Sequence, residues 1–223
     1  MFEQLREGWD YVSRFAPVRT ILLLFAVISL MGMPFTVLMP IFATKILHGG
    51  AHTLGFLMGA VGIGALASAI SLAFRKSVLG LGRMIAMSAV IFGAGLISFG
   101  LSRWLPLSLL LMTITGFGFM QGMASSNTII QTVVPEDKRG RVLSYYTMAF
   151  VGMAPFGSLL AGGLAHLFGA PVTIIFSGSC CIAGAAWYST KLPSIRTHIR
   201  PVYEELGILP RDPTPEVGAA VSD

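Results

Sequence analysis

Long apolar runs separated by short polar segments dominate this chain. Runs of about 20 mainly apolar residues are long enough to cross the hydrocarbon core of a bilayer. Six such runs, which we number span 1 to span 6, occur at roughly 20–44, 53–74, 84–102, 106–132, 143–168 and 171–190. The pattern predicts an all-α fold, a polytopic membrane bundle of six transmembrane helices.

Composition supports this class, because hydrophobic residues make up 54% of the chain and charged residues only 11%, against about a quarter charged in an ordinary soluble domain. We divide the chain into a cytoplasmic amphipathic linker helix (1–17), a six-helix transmembrane domain (18–190) and a largely disordered cytoplasmic tail (191–223). The linker segment also fits a plain extension of span 1. In the tail, we expect Arg196 and Arg200 to rest on anionic headgroups.

Lys and Arg residues are unequally distributed between the two sides of the predicted bundle. Thirteen lie before span 1, after spans 2 and 4, or after span 6, and only two lie in the other connecting segments. Because basic residues are retained on the cytoplasmic side, we predict that both termini are cytoplasmic. The net charge of +5 follows from this asymmetry and requires no nucleic-acid partner.

Motifs for catalysis are absent from the sequence: it contains no P-loop, no zinc-type histidine pair and no glycine-rich dinucleotide turn. Every acidic residue lies outside the predicted spans, so no span supplies a carboxylate for a proton relay. Cys180 and Cys181 are adjacent, a spacing that suits neither a disulfide nor a metal site. We therefore predict a protein that is not an enzyme and has no catalytic residue, metal site or cofactor.

Helix breakers and small residues are concentrated in particular spans. Gly32, Pro34 and Pro40 predict kinks in span 1, either beside a transport pathway or simply tolerated. Spans 2 and 5 carry small residues at spacings that allow close helix contact, with helices of this chain or of another. The residues that we assign to a helix bend and to such an interface are Gly55, Gly59, Gly152, Pro155, Gly157 and Gly162.

Span 4 carries the most polar set of residues within a predicted span. Gln121, Ser125, Thr128 and Thr132 recur on one helical face, and Asn127 and Gln131 widen it into an arc. Uncharged polar groups at this depth face either other helices, with which they form hydrogen bonds, or a wet cavity. Both interpretations remain open from the spacing.

A family resemblance rests on residues 127–162. The segment Asn127–Pro135, the loop Arg139-Gly140-Arg141 and the segment Ser144–Gly162 resemble the carboxyl-terminal half of major facilitator superfamily transporters. The similarity is closest to the bacterial branch of enterobactin-type exporters and transmembrane secretion effectors. Gly80–Arg83 is similar to the gating-loop motif of the superfamily but lacks its usual aspartate.

The resemblance implies two inverted three-helix repeats. Spans 1 and 4 would line the central cavity, spans 2 and 5 would face the other half of the transporter, and spans 3 and 6 would lie outermost. The expected substrate-cavity residues are Phe35, Met39, Phe117, Gln121, Ser125, Asn127 and Thr128. The expected gating-loop residues are Gly82, Arg83, Arg139, Gly140 and Arg141.

The resemblance also implies a function, which is efflux of a small-molecule solute across the bacterial cytoplasmic (inner) membrane. A complete transporter of this superfamily has two such halves, so this chain would need a missing amino-terminal half or a homodimer partner in the lipid bilayer. The alternative is a non-transporting membrane subunit, or a truncated remnant, that binds or modulates a full-length transporter.

Overall fold

The computed structural model describes residues 12, 13, 15–75 and 78–205, and every regular element within them is helical. Most of the predicted linker helix over 1–17 and residues 206–223 lie outside this part of the chain. The described helices long and apolar enough to cross a membrane are Ala16–Ile46, Ala51–Ala73, Leu81–Leu101, Leu105–Val133, Glu136–Phe168 and Ala170–Thr197, which are spans 1 to 6. They confirm the predicted polytopic helical bundle.

Two boundaries differ from the sequence prediction. Span 5 begins at Glu136, so the charged segment expected as a loop forms the first turns of the helix. Carboxylates at Glu136 and Asp137 are favourable there, because the N-terminus of a helix carries partial positive charge. The helix of span 6 continues to Glu205, and the first part of the expected disordered tail is therefore helical.

The extension of span 6 has an apolar stripe that explains its helical structure. Ile195, Ile199 and Tyr203 recur every four residues, and all three side chains are buried in the hydrophobic core. Side chains four apart share one face of a helix. The charged residues of this segment therefore lie on the other faces, which is why composition alone made the tail look disordered.

The main contacts between spans are related in pairs, although spans 5 and 6 also touch and spans 2 and 3 form no comparable contact. Span 2 packs against span 4, and span 5 packs correspondingly against span 1. Span 3 packs against span 4, span 6 packs against span 1, and spans 3 and 6 pack against each other. If span 1 is exchanged with span 4, span 2 with span 5 and span 3 with span 6, these five contacts map onto each other. Such a relation is expected for two three-helix repeats.

Glycines allow the backbones of these spans to touch. A Cβ atom on Gly64 of span 2 would overlap the carbonyl oxygen of Thr113 of span 4 and lie 2.8 Å from the Phe117 nitrogen. Where spans 3 and 6 cross, a Cβ atom on Gly93 would lie 2.7 Å from the Gly178 carbonyl oxygen. Such close approach strengthens van der Waals packing between helices in lipid.

Aromatic rings fill the centre of the bundle and connect four spans. Phe92 of span 3 lies against Phe35 of span 1 and Phe119 of span 4, with ring centroids 6.1 and 5.6 Å apart. Phe119 in turn lies 5.9 Å from Phe150 of span 5. Tilted and edge-on pairs at these distances are favourable beyond their area of contact. The centre of this bundle is therefore packed with side chains.

Spans 2 and 5 are the least buried. Only 22% and 17% of the residues in their most apolar stretches are buried, against 56% in spans 1 and 3. Their large exposed side chains include Phe56, Met58, Ile63, Leu66 and Ile70 on span 2 and Met148, Val151, Phe156, Leu159 and Leu167 on span 5. These spans therefore present wide apolar surfaces to whatever surrounds the bundle.

We expect Gly64→Ala to destabilise the bundle by about 1–3 kcal/mol, because the added methyl group meets backbone atoms that cannot rotate away. Thermal unfolding in detergent, followed in a Cys180→Ala background by the reaction of a maleimide dye with the buried thiol of Cys181, measures the effect. Gly59→Ala is the matched control on the same span, since no described heavy atom lies within 4 Å of its Cβ position. Equal melting temperatures for the two variants would contradict the close contact between spans 2 and 4 at Gly64.

Candidate functional site

Span 1 is a broken helix. Its α-helical segments Ala16–Val27 and Phe35–Ile41 are joined through the π-helical turn Ile28–Gly32, and a second π-helical turn, Phe42–Ile46, follows. Pro34 and Pro40 have no backbone N–H to donate to the preceding turn. The kinks predicted for span 1 are present, and π-helical turns of this kind are frequent at functional sites.

The break in span 1 lies against a break in span 5, which is interrupted between Val151 and Ala154. The Ser29 hydroxyl group donates a hydrogen bond to the carbonyl oxygen of Phe150. Phe150 lies one residue before the helix ends at Val151. Irregular backbone at membrane depth survives only where neighbouring groups satisfy it. A hydroxyl group of span 1 thus compensates for the bend in span 5 that the sequence predicted at Gly152 and Pro155.

Gly157 completes this junction. In a regular helix the Leu30 carbonyl oxygen would accept a hydrogen bond from the N–H of residue 34, but Pro34 has no N–H. The Leu30 carbonyl group instead lies against the Gly157 backbone. A Cβ atom at position 157 would overlap the Leu30 oxygen and lie 2.9 Å from Pro34 Cγ. Gly157, expected at an interface with another half, therefore packs within the chain, because only glycine leaves room for span 1.

Span 4 has one buried polar face. The Ser68 hydroxyl group of span 2 donates a 2.7 Å hydrogen bond to Gln121 Oε1, and the Gln121 side chain is only 4% exposed. The described residues offer no partner to Gln121 Nε2 or to the hydroxyl groups of Ser125 and Ser126. This face joins span 4 to its neighbours, so the interhelical interpretation applies to Gln121.

The opposite face of span 4 is less buried, although span 2 crosses it at Thr113 and Phe117. Residues at successive intervals of three and four are half-buried or exposed along its length: Thr113, Phe117, Met120, Ala124, Asn127 and Gln131. At one end of this face, Gln131 Nε2 donates a hydrogen bond to Asn127 Oδ1. We call these six residues the open face of span 4. It combines two amide side chains with adaptable apolar ones.

Four of the seven expected substrate-cavity residues do not reach a surface. Phe35, Met39, Gln121 and Ser125 are each 4% exposed or less, because they fill the contacts between spans. Phe117, Asn127 and Thr128 are half-buried, and the Thr128 hydroxyl group bonds back to the Ala124 carbonyl oxygen at 2.9 Å. These four side chains pack between spans in this structure, and their assignment to a solute cavity stays a prediction.

Sequence reasoning missed a signal that separates the two faces of span 4. Gly118, Gly122 and Ser125 lie on the same side of the helix as Gln121, and a Cβ atom on Gly118 would lie 2.9 Å from the Ser88 carbonyl oxygen of span 3. A narrow face made of glycine and serine marks a helix contact. Gln121 belongs to that contact, whereas Asn127 and Gln131 do not.

The expected gating residues lie at the end of the bundle that carries Arg75, residues 78–83, 134–141 and 191–205, which we call the basic end. Arg139 Nη1 lies 3.6 Å from Glu136 Oε1 across one helical turn, and the glutamate side chain is 90% exposed. Exposed pairs of this kind contribute little stability. Arg83 is exposed, and the Cβ position of Gly140 meets no described atom.

Of the expected interface glycines, three face open space. No described heavy atom lies within 4 Å of the Cβ positions of Gly55 and Gly59 on span 2 or of Gly162 on span 5. Each lies beside the large apolar side chains already described for these spans. The small residues of spans 2 and 5 therefore divide into those that pack within the chain and those that remain available.

Comparison with known proteins identifies the family. The model of the transmembrane secretion effector family matches residues 1–206. The chain therefore belongs to this family of the major facilitator superfamily, and it is a multi-pass membrane protein of bacterial type.

Curated relatives include the staphyloferrin A transporter of Staphylococcus aureus, 26% identical over 184 residues, or 82% of this chain and 46% of the relative. The multidrug efflux pump Tap of Mycolicibacterium fortuitum is 27% identical over 76% of this chain and 41% of the pump. Tap of Mycobacterium tuberculosis is 26% identical over 86% of this chain and 45% of the pump. The chain spans about half the length of the curated relatives it matches. No solved structure matches it significantly.

We expect Ser68→Ala to destabilise the bundle by about 1–3 kcal/mol, because the buried Gln121 amide group loses its hydrogen-bond donor. In the double variant Ser68→Ala/Gln121→Leu both polar partners are replaced by apolar groups, and most of the stability should return. Melting temperatures of the two single variants and the double variant give the coupling. Simple additivity of the two changes would show that the pair does not interact.

Proposed function

We propose that this chain forms one half of a membrane exporter and that the open face of span 4 contacts the transported solute. Membership of the transmembrane secretion effector family supports membrane transport. The printed names of the relatives, a staphyloferrin A transporter and a multidrug efflux pump, support outward movement of small molecules. The observation that carries the assignment to span 4 is its row of half-buried or exposed side chains, which continues beyond the crossing with span 2 at Thr113 and Phe117 to Asn127 and Gln131.

The chemistry of the open face favours a neutral or amphipathic solute with a sizeable apolar part. Phe117 and Met120 offer apolar surface that adapts to different shapes, while Asn127 and Gln131 offer hydrogen-bond donors and acceptors. Span 4 has no charged residue between Leu105 and Val133. Solute recognition by this span therefore relies on amide groups and apolar contact rather than on a counter-charge.

Orientation follows from the basic end. Because basic residues are retained on the cytoplasmic side of a membrane, we place the basic end in the cytoplasm of a bacterial cell and the loops 47–50 and 102–104 on the outer side. Both chain termini would then be cytoplasmic. The open face of span 4 ends near Gln131, so its amide pair would lie towards the cytoplasm, where an exported solute enters.

Spans 2 and 5 form the surface towards a second half in this proposal. They are the least buried spans, and Gly55, Gly59 and Gly162 lie open beside large apolar side chains. The two halves of full-length transporters of this superfamily are related by an axis along the membrane normal. A covalently linked or separate amino-terminal half, or a second copy of this chain, would satisfy that geometry.

The alternative is a subunit or truncated remnant that binds or modulates a full-length transporter without transporting solute. Affinity capture of the tagged chain separates the two functions. Recovery of a full-length transporter whose flux changes with the chain, while the chain adds no flux of its own, would support the alternative.

For solute contact, we expect Asn127→Leu to lower efflux of the neutral apolar dye Nile red roughly 5- to 10-fold, the effect of losing one hydrogen-bonding group. Cells that lack their own efflux pumps and express the active assembly provide the assay. Ser179→Leu is the control, since Ser179 is exposed on span 6 and away from the open face. If Asn127→Leu and Ser179→Leu retained equal efflux of every solute tested, the open face would not be the solute site.

For assembly, we expect Gly59→Trp to abolish association with a second half, because the indole ring would hold the partner helix away from span 2. Copies of the labelled chain in each membrane assembly are counted by single-molecule photobleaching, and captured partners are identified by mass spectrometry. Ala183→Trp is the matched control on the exposed side of span 6. Unchanged association in the Gly59→Trp variant would exclude span 2 from the interface.

A further inference from the structure

Two neighbouring cavities occur at the basic end, away from spans 2 and 5 and from the open face of span 4. The first, of about 270 Å³, lies between residues 78–83, which are a turn and the first residues of span 3, and the extension of span 6, where Ile195, Ile199 and Tyr203 line it. The second is a more open groove of about 730 Å³ between spans 3 and 6, lined by Ala86, Val90 and Ile91. Nothing in the proposed transport function uses either cavity.

The two cavities share three residues, Arg83, Leu192 and Arg196. Both arginines are exposed, and neither forms a hydrogen bond or an ion pair with any described residue. Arg200 also lines the first cavity but is bonded to Glu204 at 2.8 Å. Two guanidinium groups without a partner among the described residues therefore lie where an apolar groove meets the basic end of the bundle.

A buried donor without a described partner lies behind the lining of the first cavity. The Tyr188 side chain is fully buried, and the described residues offer no partner to its hydroxyl group. The Cβ position of Gly82 lies 3.7 Å from that hydroxyl oxygen and 3.1 Å from Leu192 Cδ2, and Gly82 and Leu192 both line the cavity. Burial also raises the pKa of the Tyr203 phenol, so this lining group remains protonated at neutral pH.

We propose that this site binds an anionic phospholipid, with its phosphate group between Arg83 and Arg196 and an acyl chain in the groove between spans 3 and 6. Guanidinium groups bind phosphate oxygens through two parallel hydrogen bonds. Basic pockets between transmembrane helices on the cytoplasmic side suit anionic lipid headgroups. The apolar lining formed by Ala86, Val90 and Ile91 distinguishes a lipid from free phosphate, which would gain nothing from it.

A lipid in this position would connect two parts of the chain that are far apart in sequence. Arg83 lies in the first turn of span 3, directly after the non-helical residues 78–80, whereas Arg196 lies near the end of span 6. The lipid therefore stabilises the arrangement of that turn against the extension of span 6. The site is independent of the proposed transport function, since it requires only that the basic end lies at an anionic membrane surface.

Native mass spectrometry of the purified full chain tests the site. Phosphatidylglycerol is added back to protein freed of lipid, and bound lipid is counted at increasing concentrations. We expect Arg83→Gln and Arg196→Gln each to weaken binding about fivefold. Lys191→Gln is the matched control, because Lys191 lies on the same helix at the same end but lines neither cavity; it should leave binding unchanged.

Two further measurements separate the headgroup from the acyl chain. Val90→Trp fills the groove and should weaken phosphatidylglycerol binding while both arginines remain. Zwitterionic phosphatidylethanolamine should bind at least tenfold more weakly than phosphatidylglycerol, and millimolar inorganic phosphate should not displace the lipid. If Lys191→Gln weakened phosphatidylglycerol binding as much as the arginine variants, binding would depend on diffuse surface charge. If phosphate displaced the lipid, or if Val90→Trp left lipid binding unchanged, the site would bind an anion without a lipid groove. Either result would overturn the proposal.

Discussion

Lipid tails solvate apolar side chains as well as a neighbouring helix does. Burial of apolar side chains between the spans of this protein therefore contributes little free energy to their association. Close contact between helix backbones supplies the attraction instead, and glycine makes that contact possible. Spans 2 and 4 meet at Gly64 and Gly116, and spans 3 and 6 meet at Gly93 and Gly178. These crossings fix how far each helix is rotated about its own axis. That rotation determines which side chains point into the bundle and which face its surroundings.

The same medium restricts where a helix can break, because no water is present to bond a freed carbonyl group. Spans 1 and 5 are both interrupted, and their interruptions face each other. The Ser29 hydroxyl group donates a hydrogen bond to the Phe150 carbonyl oxygen, while Gly157 leaves room for the Leu30 carbonyl group, to which Pro34 has no N–H to donate. The break in span 5 is therefore satisfied by a side chain of span 1, and the break in span 1 lies where a glycine of span 5 leaves space for it. The pairing forms a junction of irregular backbone in which two spans can bend together.

Span 4 illustrates why a polar residue within a membrane span is not in itself a binding residue. Gln121 and Asn127 are less than two helical turns apart, yet Gln121 is enclosed by its bond to Ser68 and Asn127 lies on the open face. The difference comes from the glycines that flank Gln121 and draw that side of the helix against span 3. A polar group on the packing face holds helices together, whereas one on the open face is available to a solute.

The sequence by itself determined the six spans, the kinks in span 1, the bend in span 5 and the unequal charge of the two ends, because length, proline and charge act locally along a chain. It could not determine that Gly64 and Gly157 pack within the bundle while Gly59 and Gly162 stay open, or that Phe35, Met39 and Gln121 are enclosed. Nor did it reveal that residues 191–205 continue span 6. In a soluble helix an apolar stripe marks the buried face, but a membrane helix is apolar on every side. Only the tertiary packing of the backbones decided which face of each span points inward.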